Sequence, residues 1–218
     1  MIEFNVLSHK ELNQVELKLT DDEILLEPES IKMIQGYVSP KALNYSWFET
    51  LRAIREGSRF HKIKLQGTGT ILQLPSIYQF SCISLTKGES LIIHPDCFWA
   101  CDTNIKLVKK TSSVKERLQG CPSFLTQINA QDDGTVVLKS MGNLELIDLD
   151  NDKFLYNGDI TAYSPSLTFS KEPLKFTNPW GLGSSFYKYK VLRGTGKILY
   201  CKVGHHFHHL KTVIKAKD

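Results

Sequence analysis

Apolar and polar residues alternate along this chain in short runs. Phe186-Tyr187-Lys188-Tyr189-Lys190-Val191-Leu192 alternates apolar with basic side chains. That is the period of a strand with one buried face and one wet face. Three further stretches share a second pattern: Leu17-Lys18-Leu19-Thr20-Asp21-Asp22-Glu23-Ile24-Leu25, Ile83-Ser84-Leu85-Thr86-Lys87-Gly88-Glu89-Ser90-Leu91 and Ile147-Asp148-Leu149-Asp150-Asn151-Asp152-Lys153-Phe154-Leu155. Each reads as a strand, a polar turn rich in Asp, Asn or Gly, and a second strand. Shorter strand pairs follow, Cys97–Cys101 with Ile105–Val108 and Ile160–Tyr163 with Leu167–Phe169, and Ile31–Ile34 begins a similar pair.

The same rhythm returns at longer range. Leu65-Gln66-Gly67-Thr68-Gly69-Thr70-Ile71-Leu72 recurs as Leu192-Arg193-Gly194-Thr195-Gly196-Lys197-Ile198-Leu199. A degenerate copy, Ile128–Leu138, lies between them. Gly69, Gly134 and Gly196 are 65 and 62 residues apart, and Phe60, Phe124 and Phe186 keep step, each after a short Ser or Pro-Ser stretch. A near-regular period of this kind predicts repeated β-units that bury a core only together. The expectation is one all-β domain over residues 1–218. It has three pseudo-repeats, at about 1–74, 75–140 and 141–202, in a double-stranded β-helix or jelly-roll-like sandwich. A His-rich, basic segment, 203–218, follows.

Each repeat carries an excursion. In Ser46–Gly57, Ser46 and Glu49 have capping-box spacing and Trp47, Phe48, Leu51 and Ile54 share one helical face. Ser113–Gly120 predicts a shorter helix with the same cap. Asn178-Pro179-Trp180-Gly181-Leu182-Gly183 predicts a loop, because Pro and two glycines oppose a helix.

Composition fits a packed soluble domain: 41% of residues are apolar and 23% charged over 218 residues. The net charge of +4 is mild and its lysines and arginines are interspersed with acids, so no nucleic-acid footprint stands out. The five cysteines, Cys82, Cys97, Cys101, Cys121 and Cys201, are odd in number and irregular in spacing. They read as free, mostly buried thiols in a reducing compartment. Met1–Gln14 carries no arginine and lacks a signal-peptide core, and no apolar run nears the roughly 18 residues of a membrane span. The expected location is cytoplasmic.

Candidate chemistry is sparse. Gly204-His205-His206-Phe207-His208-His209 has metal-ligand residue types. Its four histidines crowd one terminal segment instead of converging from several strands. The bland reading, a plain terminal strand or tail, stands beside surface metal binding. Gly181-Leu182-Gly183-Ser184-Ser185 lacks the lysine of a phosphate-binding P-loop. No Gly-x-Ser-x-Gly occurs, and Cys121 has no evident base beside it. Asp132, Asp133, Asp148, Asp150 and Asp152 lack the spacing of a calcium loop and read as solvated turns. Trp47, Phe48, Trp99, Trp180 and Phe186 read mostly as packing residues, though an exposed Trp47–Phe48 face would suit a partner or a membrane surface.

The ordered motifs resemble the altered-inheritance-of-mitochondria protein 24 family. The matching residues are Gly88-Glu89-Ser90-Leu91, Ser58-Arg59-Phe60 through Gly67-Thr68-Gly69, Ser123-Phe124 through Gly134, and Ser185-Phe186 through Gly194-Thr195-Gly196. The chain departs from the pattern at Ala130 and Asp132, where the other repeats have glycine, and at Asn151-Asp152-Lys153. The resemblance spans roughly residues 15–202. It implies a β-rich fold similar to the tryptophan RNA-binding attenuator protein, without carrying over tryptophan or RNA binding. Eukaryotic members of that family are mitochondrial and linked to inner-membrane organisation; with no import signal read in Met1–Gln14, the expectation is the prokaryotic type.

The function expected from this reading is a non-enzymatic β-scaffold that self-associates as a homo-oligomer or docks a protein partner, with no catalytic, cofactor or metal residue assigned. The alternative is a ligand- or metal-binding jelly roll.

Overall fold

The computed structural model describes residues 1–9, 12–41, 62–118, 121, 123–156, 160–177 and 184–201. The described chain is nearly all strand, in two antiparallel sheets. It divides into two compact units. The first holds Met1–Glu89, Phe98–Lys106 and Ala130–Lys139, and the second Ser90–Cys97, Leu107–Asn129 and Ser140–Asp218.

The first sheet contains β1 (Ile2–His9), β2 (Leu12–Leu26), β3 (Ile31–Lys41), β4 (Ile63–Gln73), β5 (Gln79–Leu85), β7 (Phe98–Asp102) and β10 (Gly134–Ser140). Its order is β3-β4-β2-β7-β10-β5, with β1 on β2. The second contains β6 (Ser90–Ile93), β8 (Ile105–Thr111), β9 (Phe124–Ala130), β11 (Leu144–Tyr156), β12 (Ala162–Tyr163), β13 (Thr168–Thr177) and β14 (Ser184–Cys201). Its order is β11-β14-β12-β6-β9-β8, with β13 on β14. A helix, α1 (Val114–Leu118), and two short 3-10 turns complete the described elements.

Two stretches expected to be hairpins are single long strands. β2 runs unbroken through Asp21-Asp22, and β11 through Asn151-Asp152. Each has a bulge there: the ladder jumps from Leu19↔Gly69 to Asp22↔Gly67, and from Leu149↔Gly196 to Asp152↔Gly194. The physical reason lies in the side-chain parity. Val15, Leu17 and Leu19 are buried at odd positions of β2, and Ile24 and Leu26 at even ones. An extra residue on one strand flips that parity and keeps both halves facing the core. In β11, Ile147 and Leu149 pack into the core before the bulge, Phe154 and Tyr156 after it. Asp21 and Asn151 take φ of 49° and 52°, a region Asp and Asn enter at lower cost than most residues.

The third such stretch is also no hairpin. The chain turns at Thr86–Glu89, closed by the Glu89 N–H donating to Thr86 O at 2.9 Å, but β5 and β6 belong to different sheets. β7 and β8 are likewise both present without pairing to each other.

Each unit has an apolar core. In the first, Val15, Leu17, Ile24, Leu26, Leu65, Ile71 and Ala100 share one buried cluster with Trp99. Burying one large apolar side chain contributes about 1.5–3 kcal/mol. Trp99 meets the edge of Phe80 at 5.8 Å between ring centroids. In the second, Leu149, Tyr156, Ile160, Leu167, Leu192 and Ile198 form one cluster, and Ile92, Cys121 and Leu125 another.

Candidate functional site

The polar residues of the repeated motifs serve structural contacts. The Asp21 N–H donates to Thr68 Oγ1 at 2.9 Å, and the Asn151 N–H to Thr195 Oγ1 at 3.0 Å. The Lys87 N–H donates to Asp133 Oδ1 at 2.9 Å. In all three the acceptor is the residue just before Gly69, Gly134 or Gly196. The side chain takes a backbone N–H that the local bulge or turn has removed from the ladder, as bulged residues require. A second contact accompanies two of them. Asp22 Oδ1 accepts the Glu23 N–H at 2.7 Å, and Asp152 Oδ1 the Lys153 N–H at 2.6 Å. These clasps absorb the Gly-Thr-Gly motifs, Asp133 and Asp152. They are structural fastenings.

Several half-buried and exposed polar groups are committed as well. The Asp102 carboxylate accepts the Thr135 N–H at 2.5 Å and the Asn104 N–H at 3.2 Å. Burial nevertheless raises its pKa above the usual carboxylate value, against those two hydrogen bonds. Trp99 Nε1–H donates to Ser30 Oγ at 2.7 Å, and Ser30 Oγ–H to Glu27 O at 3.0 Å. Ser113 and Glu116 form the capping box expected for α1: the Ser113 N–H donates to Glu116 Oε2 at 2.7 Å, and the Glu116 N–H to Ser113 Oγ at 3.2 Å. That contact lowers the Glu116 pKa.

The thiols follow the expected pattern. Cys97, Cys101, Cys121 and Cys201 are buried thiols outside any disulfide, and Cys82 is exposed. Burial pushes the Cys101 thiol up to about 12, which keeps it protonated and unreactive at neutral pH. Cys121 Sγ lies 3.4 Å from Ser112 Oγ and contacts the Tyr163 hydroxyl, whose pKa burial raises. Among the described residues no three His, Cys, Asp or Glu side chains converge as metal ligands. Gln73 Oε1 is a buried acceptor without a partner there, and one acceptor makes no site.

Among the described residues, several exposed apolar and charged side chains lie on terminal strands. β3 ends the first sheet, and nine of its eleven residues are exposed. They include Met33, Ile34 and Tyr37, the last 94% exposed. A terminal strand that keeps large apolar side chains in water is an unusual use of surface. Beside it Glu23 binds Lys41 and Lys64 together. These two lysines hold the Glu23 carboxylate below its ordinary pKa. The second sheet has its own ionic cluster, Glu172 with Arg193 at 2.6 Å and Lys153 at 3.4 Å. Its terminal strands differ in charge: β8 carries Lys106, Lys109 and Lys110, and β11 carries Glu145, Asp148, Asp150 and Asp152 with Lys153. Next to β8, α1 leaves Val114 and Leu118 exposed.

The sequence singled out neither β3 nor the charged edges. β3 breaks the buried-face alternation by exposing both parities, a signal present in Met33-Ile34-Gln35-Gly36-Tyr37 only once an edge position is known. Several expected features lie outside the described residues: the Ser46–Gly57 helix with Trp47 and Phe48, the loop Asn178–Gly183, and His205, His206, His208 and His209. Asp148, Asp150 and Asp152, expected in a solvated turn, stand on a strand instead. No helix among the described residues is long and apolar enough to cross a membrane.

Comparison with known proteins agrees with this architecture. A crystal structure of the protein SPYM3_0169 from Streptococcus pyogenes is similar over 100% of both chains, with a TM-score of 0.69 and 16% identity. At that identity the likeness shows the fold alone. No curated protein matches the chain. The sequence model of the mitochondrial biogenesis AIM24 family matches residues 4–201, and with nearly the whole chain covered, this protein belongs to that family.

Proposed function

We infer that this protein is a non-enzymatic β-scaffold that acts by self-association or by docking a partner along its strand edges. The observation that carries this is the contrast between its polar and apolar residues. Motif residues with chemical potential, such as Thr68, Asp102, Asp133, Asp152 and Thr195, are spent on backbone hydrogen bonds. Large apolar side chains such as Tyr37 and Met33 stand in water on a terminal strand. The three matching clasps favour a threefold internal repeat of the double-stranded β-helix or jelly-roll kind, an architecture that supplies many short edges.

The second reading is a ligand- or metal-binding jelly roll. It is favoured by the histidine residue types at 205–209 and opposed by cores of Leu, Ile, Val, Phe and Trp. One experiment separates the two. The solution mass of the full chain is measured by light scattering, with metal content determined on the same sample. A discrete metal-free oligomer is the expected result. A monomer carrying stoichiometric metal would overturn the scaffold reading.

A further inference from the structure

Six described strands have one hydrogen-bonded neighbour each: β1, β3 and β5 in the first sheet, and β8, β11 and β13 in the second. An open edge presents backbone N–H and C=O groups that a strand from another molecule can satisfy, and charged residues or proline on the edge deter it. Five of the six carry such residues. β1 has Glu3, β3 has Lys32, Pro40 and Lys41, and β8 has Lys106, Lys109 and Lys110. β11 has Glu145, Asp148, Asp150, Asp152 and Lys153, and β13 has Lys171, Glu172, Pro173 and Lys175. β5 is the exception. Gln79-Phe80-Ser81-Cys82-Ile83-Ser84-Leu85 has no charge, no proline and no glycine, and none of its residues takes a positive φ. Phe80 and Leu85 are buried and hold the strand to the core, while Cys82 and Ser84 are exposed.

We propose that β5 of one copy of this chain pairs antiparallel with β5 of a second copy, about a twofold axis at Cys82. The proposal rests on the self-associating reading above and names its surface. Cys82 is the middle residue of the seven. A twofold there sets Gln79 opposite Leu85, Phe80 opposite Ser84, Ser81 opposite Ile83 and Cys82 opposite its own copy. Every residue of the strand then has a partner across the axis, and any shift of register leaves residues unpaired. Seven pairs make about six to eight backbone hydrogen bonds, because alternate pairs of an antiparallel ladder exchange two. An uncharged edge has nothing with which to select a foreign strand by charge. The strand it matches over its full length is its own copy, and that pairing opposes no like charges.

Two identical strands make an isologous contact, which closes as a dimer. Residues opposite one another in a ladder stand on the same face, so the two Cys82 thiols lie side by side there, open to small reagents. Their Cα atoms are about 4.5–5.5 Å apart, within the about 4.4–6.8 Å that a disulfide spans. The two copies of Ser84 are four residues out of step, about 14 Å apart, which no disulfide bridges.

The test uses the full chain. Light scattering over a concentration series reads the association, and oxidised glutathione reads the register. One Cys82 thiolate attacks the glutathione disulfide and releases a glutathione thiolate. The second Cys82 thiolate then displaces the remaining glutathione. One protein disulfide forms, and two glutathione thiols carry away the two electrons and both protons. Three variants accompany wild type. Cys82→Ser removes the thiol and keeps the size. Cys82→Lys with Ser84→Lys sets lysine opposite lysine at the axis and places further lysines diagonal to it. Ser84→Cys in the Cys82→Ser background moves the exposed thiol away from its copy. Circular dichroism establishes that each variant retains its strand content.

Wild type is expected to move from monomer to dimer mass as concentration rises, with Cys82→Ser following it. The lysine variant is expected to associate at least about tenfold more weakly. At about 10 μM protein, Cys82 is expected to crosslink at least about tenfold faster than Cys at position 84, each rate divided by that thiol's rate with iodoacetamide, because pairing makes the step intramolecular. The crosslinking arm exchanges only small exposed residues, so it stands even if the lysine variant fails to fold. Equal crosslinking rates, or a folded lysine variant that dimerises as tightly as wild type, overturn the β5 contact and leave self-association by another surface standing. A wild-type chain that stays monomeric over the whole series overturns both the contact and the self-association beneath it.

Discussion

Replacing Gly67 with alanine should cost far more than replacing Gly194, although the two glycines hold matching places in the sequence. Both adopt backbone conformations that L-residues rarely enter, with φ of 138° and 127°. That alone costs about 1–3 kcal/mol for alanine. The difference is steric. A Cβ on Gly194 would have Ser166 O as its nearest neighbour, at 3.5 Å, which is ordinary contact. A Cβ on Gly67 would lie 1.9 Å from Tyr37 O and 3.0 Å from the Tyr37 carbonyl carbon. Those are backbone atoms of β3 and cannot rotate away. β3 has to retreat by about 1 Å, and as a terminal strand it can do so only by stretching its ladder to β4 around Tyr37↔Thr68 and Val38↔Gly67. Two or three weakened hydrogen bonds at about 0.5–1.5 kcal/mol each bring Gly67→Ala to about 3–5 kcal/mol. At about 2–4 °C per kcal/mol for a chain of this size, its melting temperature should fall by about 10 °C or more. Gly194→Ala should fall by roughly half that or less. Thermal melting by circular dichroism measures both, and hydrogen exchange on peptides covering residues 31–41 locates the loosened strand. Equal shifts for the two variants, or full protection of β3 in Gly67→Ala, would refute the steric argument.

Three further outcomes follow from the same geometry. Trp99→Phe keeps most of the apolar volume but removes the Nε1–H bond to Ser30, so stability should drop by about 1–3 kcal/mol; urea titration reads this, and an unchanged midpoint would show that the bond contributes nothing. Lys41 and Lys64 depress the Glu23 pKa, so their pairing stabilises the fold above the ordinary carboxylate value of 4.5 and is lost as pH falls through the lower folded value. Glu23→Gln should therefore flatten the acid limb of a stability–pH curve below about pH 4.5, and a limb as steep as wild type would count against it. Cys82 alone is exposed, so iodoacetamide at pH 8 should modify one thiol in the native protein and five in urea. Mass spectrometry counts them, and its rate at Cys82 should be slow, because surrounding burial raises that thiol's pKa.

The strands were legible in the sequence; whether the chain reverses between them was not. Asp21-Asp22, Asn151-Asp152 and Gly67-Thr68-Gly69 carry residues suited to positive φ, and such residues do stand at positive φ in the structure. A hairpin turn and a β-bulge make the same local demand. Sequence reports the demand without saying which of the two meets it. The deciding information is the partner strand. β4 and β14 run straight through their glycines, so β2 and β11 run straight as well. Side-chain parity offered a clue: Leu17 and Leu19 against Ile24 and Leu26 differ by an odd step, which a bulge produces within one strand. The capping box at Ser113 and Glu116 was readable because both partners lie within one helical turn. The edge position of β3 depends on which strand lies beside β4 and so was not.

The same reasoning explains how the chain uses its paired charges. Glu23 on β2 holds Lys41 on β3 and Lys64 on β4, and Glu172 on β13 holds Arg193 on β14 and Lys153 on β11. Exposed pairs of this sort contribute little individually, about 0–1 kcal/mol. Each carboxylate ties together side chains from three strands, so these pairs fix register more than they stabilise.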